Sequence, residues 1–245
     1  MPLYRVRPHA QSYGHDVGVI MMYCSNPFPP GDVGNAYSYD YPVLYHTVRD
    51  VTIERLIDKA DASAGQAVVA AAKALEAEGV KAITSDCGYM LEYQQEVAAA
   101  VAVPVMLSSL IQLPFIDALL APDREIGIVC ASAPRLHPAL LARAFPHPRR
   151  PVRIAGMQEQ PGFRSAILDE EGVLDTDKVR AETVAVASEL LRAHPAIGAL
   201  LLECSNLPLY SRAVQQATGL PVFDFLTMID YVRAACVRRS YEGGY

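Results

Sequence analysis

Seven short apolar, β-branched runs punctuate the chain, and several end on or just before Gly or Ser. They are "DVGVIMMYC" (16–24), "GVKAITSDC" (79–87), "VPVMLS" (103–108), "EIGIVCAS" (125–132), "RPVRIAGM" (150–157), "IGALLLEC" (197–204) and "LPVFDF" (220–225). Continuous apolar runs of this length suit strands covered on both faces, as in parallel sheets. Between them the apolar residues recur at helical spacing. The stretch 52–78 reads as one helix, with Thr52 as N-cap and Gly79 as its stop. A second helix covers 176–193, capped by Asp175, with Leu174 and Val179 at the positions of a hydrophobic staple. Strand–helix alternation predicts α/β layers, and such sheets place their ligands at the carboxyl ends of the strands.

The pattern repeats within the chain. Shifting by 117 residues lays Val80–Val105 over Ile197–Val222. Ala82, Cys87, Tyr93, Val97, Ala100, Pro104 and Val105 then meet Ala199, Cys204, Tyr210, Val214, Ala217, Pro221 and Val222, seven identities in 26 positions. The strand "VGVIM" at 17–21 is echoed by "IGIVC" at 126–130. Two similar α/β halves are expected, one from 1–113 plus 225–245 and the other from 114–224. In each, "ITSDCGYMLEY" (83–93) or "LLECSNLPLY" (201–210), an acidic residue and a cysteine stand where a strand ends, with a tyrosine six positions on.

A thiol at such a corner lies in the field of the following helix N-terminus, which lowers a cysteine pKa from about 8.5 towards neutrality and favours a bound carboxylate. If the halves face one another, Cys87 and Cys204 flank one small anionic ligand. One sulfur could then take a proton from carbon while the other delivers one to the opposite face. The alternative is that each is a small buried hydrophobe. Cys130 and Cys236 sit in strand and helix patterns and read as core; Cys24 ends the first strand and could line the cleft. Alternation along a strand turns Asp86 and Glu203 away from the thiols, as anchors or solvated ends.

Composition removes other classes. The 245 residues carry a formal charge of −6, are 51% apolar and 20% charged, and show no Lys/Arg run longer than a pair. Nucleic-acid binding is not expected. No segment has the unbroken apolar length of a membrane span, and the first residues lack the apolar core of a signal peptide. Five cysteines without C-x-x-C or zinc spacing read as free thiols of a cytoplasmic protein.

The two-cysteine layout, "DCGYM" and "ECSNLP" each followed 17 residues later by "PV", resembles the aspartate/glutamate racemase superfamily, which includes hydantoin and glutamate racemases, maleate isomerase and arylmalonate decarboxylase. The resemblance implies two pseudo-symmetric flavodoxin-like halves with mainly parallel sheets and an active-site cleft between them. It implies no metal or pyridoxal cofactor, and Cys87 and Cys204 as opposed acid and base. Its substrate-holding positions fall on Ser25 and Asn26 after the first strand, on Gly88, Tyr89, Ser205 and Asn206 after the cysteines, and on Ser132. The expected activity is a cofactor-independent racemase or epimerase acting beside a carboxylate or carbonyl of an amino acid or hydantoin-like molecule. A maleate-type isomerase, a decarboxylase and a small-acid binding protein are the alternatives. Gly88-Tyr89 and Ser205-Asn206 depart from the Asn-Thr and Thr-His of glutamate racemases, and Cys24-Ser25 from their Asp-Ser. The glutamate-binding scheme therefore does not transfer.

The stretch 25–46, with four prolines and two glycines, reads as a shaped loop. Its Tyr37, Tyr39 and Tyr41 could shield substrate, or the loop could join subunits of a homo-oligomer. Arg164, in the polar loop 158–172, could meet a second carboxylate, although a solvated surface position accounts for it as well. Tyr93 and Tyr210 read as helix-packing residues. His46, His137 and His194 fall in no motif.

Overall fold

All seven runs form strands in the computed structural model, which describes residues 3–59, 62–241 and 243 (the side chains of 57, 58 and 62 excepted). The first half holds β1 (Val17–Met22), β2 (Val43–Val48), β3 (Ala82–Ser85) and β4 (Val105–Met106), and the second β5 (Glu125–Cys130), β6 (Val152–Gly156), β7 (Ile197–Leu202) and β8 (Val222–Phe223). Each set makes a parallel four-stranded sheet, ordered β2-β1-β3-β4 and β6-β5-β7-β8. The two orders are the same, and the 117-residue shift carries β4 onto β8 and lays Ala82–Ser85 of β3 on the last four residues of β7. The central strands β1 and β7 are buried along their whole length, as their unbroken apolar runs require. At about 1.5–3 kcal/mol for each fully buried aliphatic side chain, these strands anchor the fold.

The helices are α1 (Gly65–Glu78), α2 (Gln94–Ala100), α3 (Leu113–Leu119), α4 (Pro138–Ala144), the single turn α5 (Pro161–Phe163), α6 (Thr176–Ala193), α7 (Ser211–Thr218) and α8 (Phe225–Cys236). For α6 the expected limits hold: the Asp175 carboxylate accepts from the N–H groups of Asp177 (3.1 Å) and Lys178 (3.0 Å). Val179 is buried and Leu174 half-buried against the same core. The last helix, α8, covers the first sheet, with Phe225, Met228 and Ile229 packed among Val17, Val19, Met21, Ala82 and Met106.

Two expectations are corrected. The stretch 52–78 is not one helix: a π-turn at Glu54–Asp58 and a 3-10 turn at Ala62–Ala64 precede α1. Thr52 caps the first turn, accepting from the Arg55 N–H at 3.3 Å. The α-helix starts at Gly65, where a Cβ would lie 2.6 Å from the Glu96 carboxylate and 3.3 Å from the Tyr93 ring. A side chain at this position would have to displace the Glu96 carboxylate, so a glycine suits the close start of α1 beside α2. The 25–46 loop also ends early, since Val43–Val48 pairs with β1 as an edge strand. Its first five residues are half-buried or exposed, so it lacks the apolar run that marks the other strands.

Candidate active site

The two cysteine corners close on each other. Asp86 and Glu203 lie one residue past the ends of β3 and β7, and their N–H groups donate to Ile20 and Val129 of the neighbouring strands (3.1 and 2.8 Å). Cys87 then caps a 3-10 helix at Gly88–Tyr93, whereas Cys204 opens a turn that reaches a 3-10 helix only at Pro208–Tyr210. One narrow cleft, with room for only about 20 Å³ between its side chains, is lined by both cysteines, by Cys24, Asn26, Asp86, Gly88, Tyr89, Glu203, Ser205 and Asn206, and by an apolar wall that includes Met22, Phe28, Ile53 and Ile167. Both thiols are 7% exposed.

Contacts between the corners are reciprocal. The Ser205 hydroxyl donates to the backbone carbonyl of Asp86. In return, Glu203 occupies the space beside Gly88: a Cβ there would lie 1.9 Å from its Oε1 and 2.8 Å from its carbonyl oxygen. Tyr89 spans the halves, its hydroxyl donating to the Ser132 carbonyl (2.9 Å) and accepting from the Ser132 N–H (2.8 Å). On the far side, Asn206 accepts from the Cys204 thiol (3.4 Å) and donates to Asp32 Oδ2 (2.7 Å). Asp32 is itself buried and also takes the Gly34 N–H at 2.8 Å.

This arrangement reverses the expected electrostatics. Neither thiol is lowered towards neutrality. Burial raises both well above the ordinary cysteine value, and the Glu203 carboxyl adds to it. The backbone N–H groups of Tyr89 and Asn206 oppose the rise but do not overcome it. The field of a helix fades within its first turn, and α2 and α7 begin seven residues beyond their cysteines. Cys24 is pushed up to about 12, by burial and then by Asp86. The acids rise as well. Burial takes Glu203 to about 7 against the pull of the Ala131 N–H and of Arg135, and Asp32 to about 7 against its two hydrogen bonds. Burial also lifts Asp86 well above the usual carboxylate range, although its Oδ1 accepts the Met22 N–H at 2.9 Å.

Of the positions singled out in the sequence, Cys87, Cys204, Asn26, Gly88, Tyr89, Ser205 and Asn206 meet in this cleft. Ser25 and Ser132 are not among its lining. Ser25 is exposed with its N–H on Glu170 (2.6 Å), and the Ser132 backbone is taken by Tyr89. Arg164 pairs with Asp169 at the surface (3.1 Å). The loop tyrosines do not cover the cleft: Tyr37 is exposed, Tyr39 donates to the Val33 carbonyl (2.9 Å), and Tyr41 donates to Asp230 of α8 (2.6 Å). What the loop brings to the cleft is Asn26 and Phe28, with Asp32 behind Asn206. Asp86 and Glu203, expected to turn away, both line it, because past the last residue of a strand its alternation no longer fixes where a side chain points. Asp32 was missed altogether; a lone Asp in a Pro-Gly turn carries no motif.

Two α/β halves of one topology, with a cysteine from each in a shared cleft, repeat the layout first seen in the sequence, and known proteins can now be set beside it. A sequence profile described as Asp/Glu/Hydantoin racemase matches residues 39–229. The chain belongs to this family. Among solved structures, a glycine-to-cysteine mutant of arylmalonate decarboxylase in its sulfate-associated form superposes with a TM-score of 0.62 at 19% identity, over 94% of this chain and 97% of that one. At that identity the likeness is one of fold. Family members closer in sequence carry another name. A dimethylsulfoniopropionate lyase of Durusdinium sp. clade D is 35% identical over 208 residues, 82% of this chain and 68% of its own. Dimethylsulfoniopropionate lyase 5 of Emiliania huxleyi is 31% identical over 228 residues, 89% of this chain but only 45% of its own. Among the described residues no helix is long and apolar enough to cross a membrane, and no cluster of His, Cys, Asp or Glu could hold a metal ion.

Proposed function

We propose that the chain is a carbon-acid lyase that eliminates dimethyl sulfide from dimethylsulfoniopropionate or a close analogue, with the Cys87 and Cys204 thiols as its proton-transfer groups. The observation that carries this reading is the charge of the cleft. Its described lining holds three thiols and two buried carboxyls and no Lys or Arg. Such a wall disfavours a dicarboxylate such as glutamate or maleate. It suits a small acid that brings its own positive charge, because a cation beside them lowers the pKa of thiols and carboxyls alike. The names of the relatives point to the same substrate class.

The chemistry balances without further reactants. A thiolate takes the proton from the carbon next to the substrate carboxylate, forming S–H. The electron pair left behind becomes the carbon–carbon double bond, and the bond from the next carbon to sulfur breaks. Dimethyl sulfide leaves as a neutral molecule and an unsaturated acid remains. Proton transfer by a positioned group contributes typically about 10²–10⁴-fold. The apolar wall of Met22, Phe28, Ile53 and Ile167 keeps water from the carbanionic character that develops, which strengthens every charge interaction there.

Racemisation or epimerisation is the second reading, favoured by the presence of two thiols where an elimination needs one base. The reactions share their first step and part at the second. Incubation with dimethylsulfoniopropionate, amino acids and hydantoins in heavy water separates them. Release of dimethyl sulfide supports the lyase. Deuterium uptake at the α-carbon with loss of optical purity supports the racemase, and binding without either supports a small-acid binding protein.

A further inference from the structure

Glu203 is wholly buried, yet one of its two carboxyl oxygens is without a partner. Oε2 accepts the Ala131 N–H at 3.3 Å, while Oε1 has no hydrogen bond and lies against Gly88 at the cleft wall. A buried carboxyl with an unpaired oxygen costs free energy whether or not it is ionised, so the arrangement calls for an occupant. The Asn26 side-chain oxygen, in the same lining, is also buried and unpartnered. Two residues of one lining that each hold a buried, unpartnered acceptor disfavour a second anion there and favour a positive group. The neighbouring Arg135 does not fill that role. Its guanidinium pulls on Glu203 through space but lies 5.7 Å from the Tyr89 ring centroid and donates to the Leu56 carbonyl (3.0 Å). Around the acceptors, Phe28, Met22, Ile53 and Ile167 offer the apolar and aromatic surface that methyl groups on a cation prefer.

We propose that Glu203, assisted by Asn26, forms the subsite for a methylated onium group, holding the charged end of a zwitterionic acid so that its carbon chain lies between the two cysteines. The proposal rests on the cleft being the place where a small acid binds, but not on which reaction follows. Glu203 is here a positioning residue, since it touches no reacting atom. It also accounts for Gly88, whose missing side chain leaves room for the carboxyl.

The test uses two acids of one shape that differ in the charge of the tail: 3-(trimethylammonio)propionate and its isostere with an uncharged tail, 4,4-dimethylpentanoate. Each is titrated calorimetrically into the intact protein and into Glu203→Gln, with folding of the variant checked by thermal melting. The intact protein should bind the onium acid at least about tenfold more tightly, and Glu203→Gln should lose that preference while binding the acid with the uncharged tail no more weakly. Should the Gln variant fail to fold, Glu203→Asp, which withdraws the carboxylate by one methylene, should shrink the preference. Equal binding of the two acids by the intact protein overturns the proposal alone, as does a Gln variant that keeps the preference. Binding of neither acid overturns it together with the reading of the cleft.

Discussion

The two cysteine corners share a backbone plan and differ in how their acids are satisfied. At the first, Asp86 takes the Met22 N–H, Gly88 has no side chain, and a 3-10 helix begins directly after the thiol. At the second, Glu203 keeps a free oxygen, Ser205 reaches across to the first corner, and Asn206 couples the thiol to Asp32. The small residue of one corner thus receives the large residue of the other. A duplicated strand–turn–helix unit gives two thiols in one hollow, but the chemistry of that hollow comes from the residues by which the copies differ.

The strongest way to break the comparison is to remove the sulfurs singly. Cys87→Ala and Cys204→Ala should each leave the fold intact, and at least one should lower dimethyl sulfide release by about 10²–10⁴. Unequal losses mark one thiol as the base of an elimination; equal losses mark a two-thiol proton exchange. Full turnover by both variants rejects thiol chemistry.

Next in size is the response to pH. Folding lifts the Glu203 and Asp32 carboxyls to about 7, so the folded state holds protons that the unfolded chain has lost. The stability of their neutral forms is complete below the unfolded carboxylate range, near pH 4, and falls as pH climbs towards about 7. Each pKa unit is worth about 1.4 kcal/mol, so each acid amounts to a few kcal/mol. Melting temperature measured from pH 5 to pH 8 should fall, and Glu203→Gln and Asp32→Asn should each flatten the slope. A melting curve that rises over that interval contradicts the burial of neutral acids.

The packing between corners can then be probed from both sides. Gly88→Ala drives a methyl into the Glu203 carboxyl and should destabilise by about 1–3 kcal/mol in denaturant titration. Ser205→Ala leaves the buried Asp86 carbonyl without its donor and should destabilise by about 1 kcal/mol. If Gly88→Ala is neutral, Glu203 does not sit where the comparison requires.

Much of this architecture was readable from sequence because burial writes itself into apolar runs. β1 and β7, covered on both faces, are uninterrupted hydrophobic stretches, and α6 shows its cap in Asp175. The paired cysteines emerged from a gap-free self-comparison, since no insertion separates β3 from β4 differently than β7 from β8. Features set by tertiary neighbours were not readable. The edge strand β2 has few buried positions, and α1 begins at Gly65 because of Glu96, 31 residues away. The Cys87 thiol is raised by burial and then by Glu203 of the opposite half, which no local rule for helix termini contains. Asp32 reaches the site through Asn206, 174 positions later.

The account stands on sulfur moving a proton at a carbon beside a carboxylate. The most direct measurement follows dimethyl sulfide release from dimethylsulfoniopropionate by the intact protein and by the folded Cys87→Ala/Cys204→Ala double variant. Release by the first and none by the second is the predicted result. Release at the same rate by both, or by neither, contradicts it.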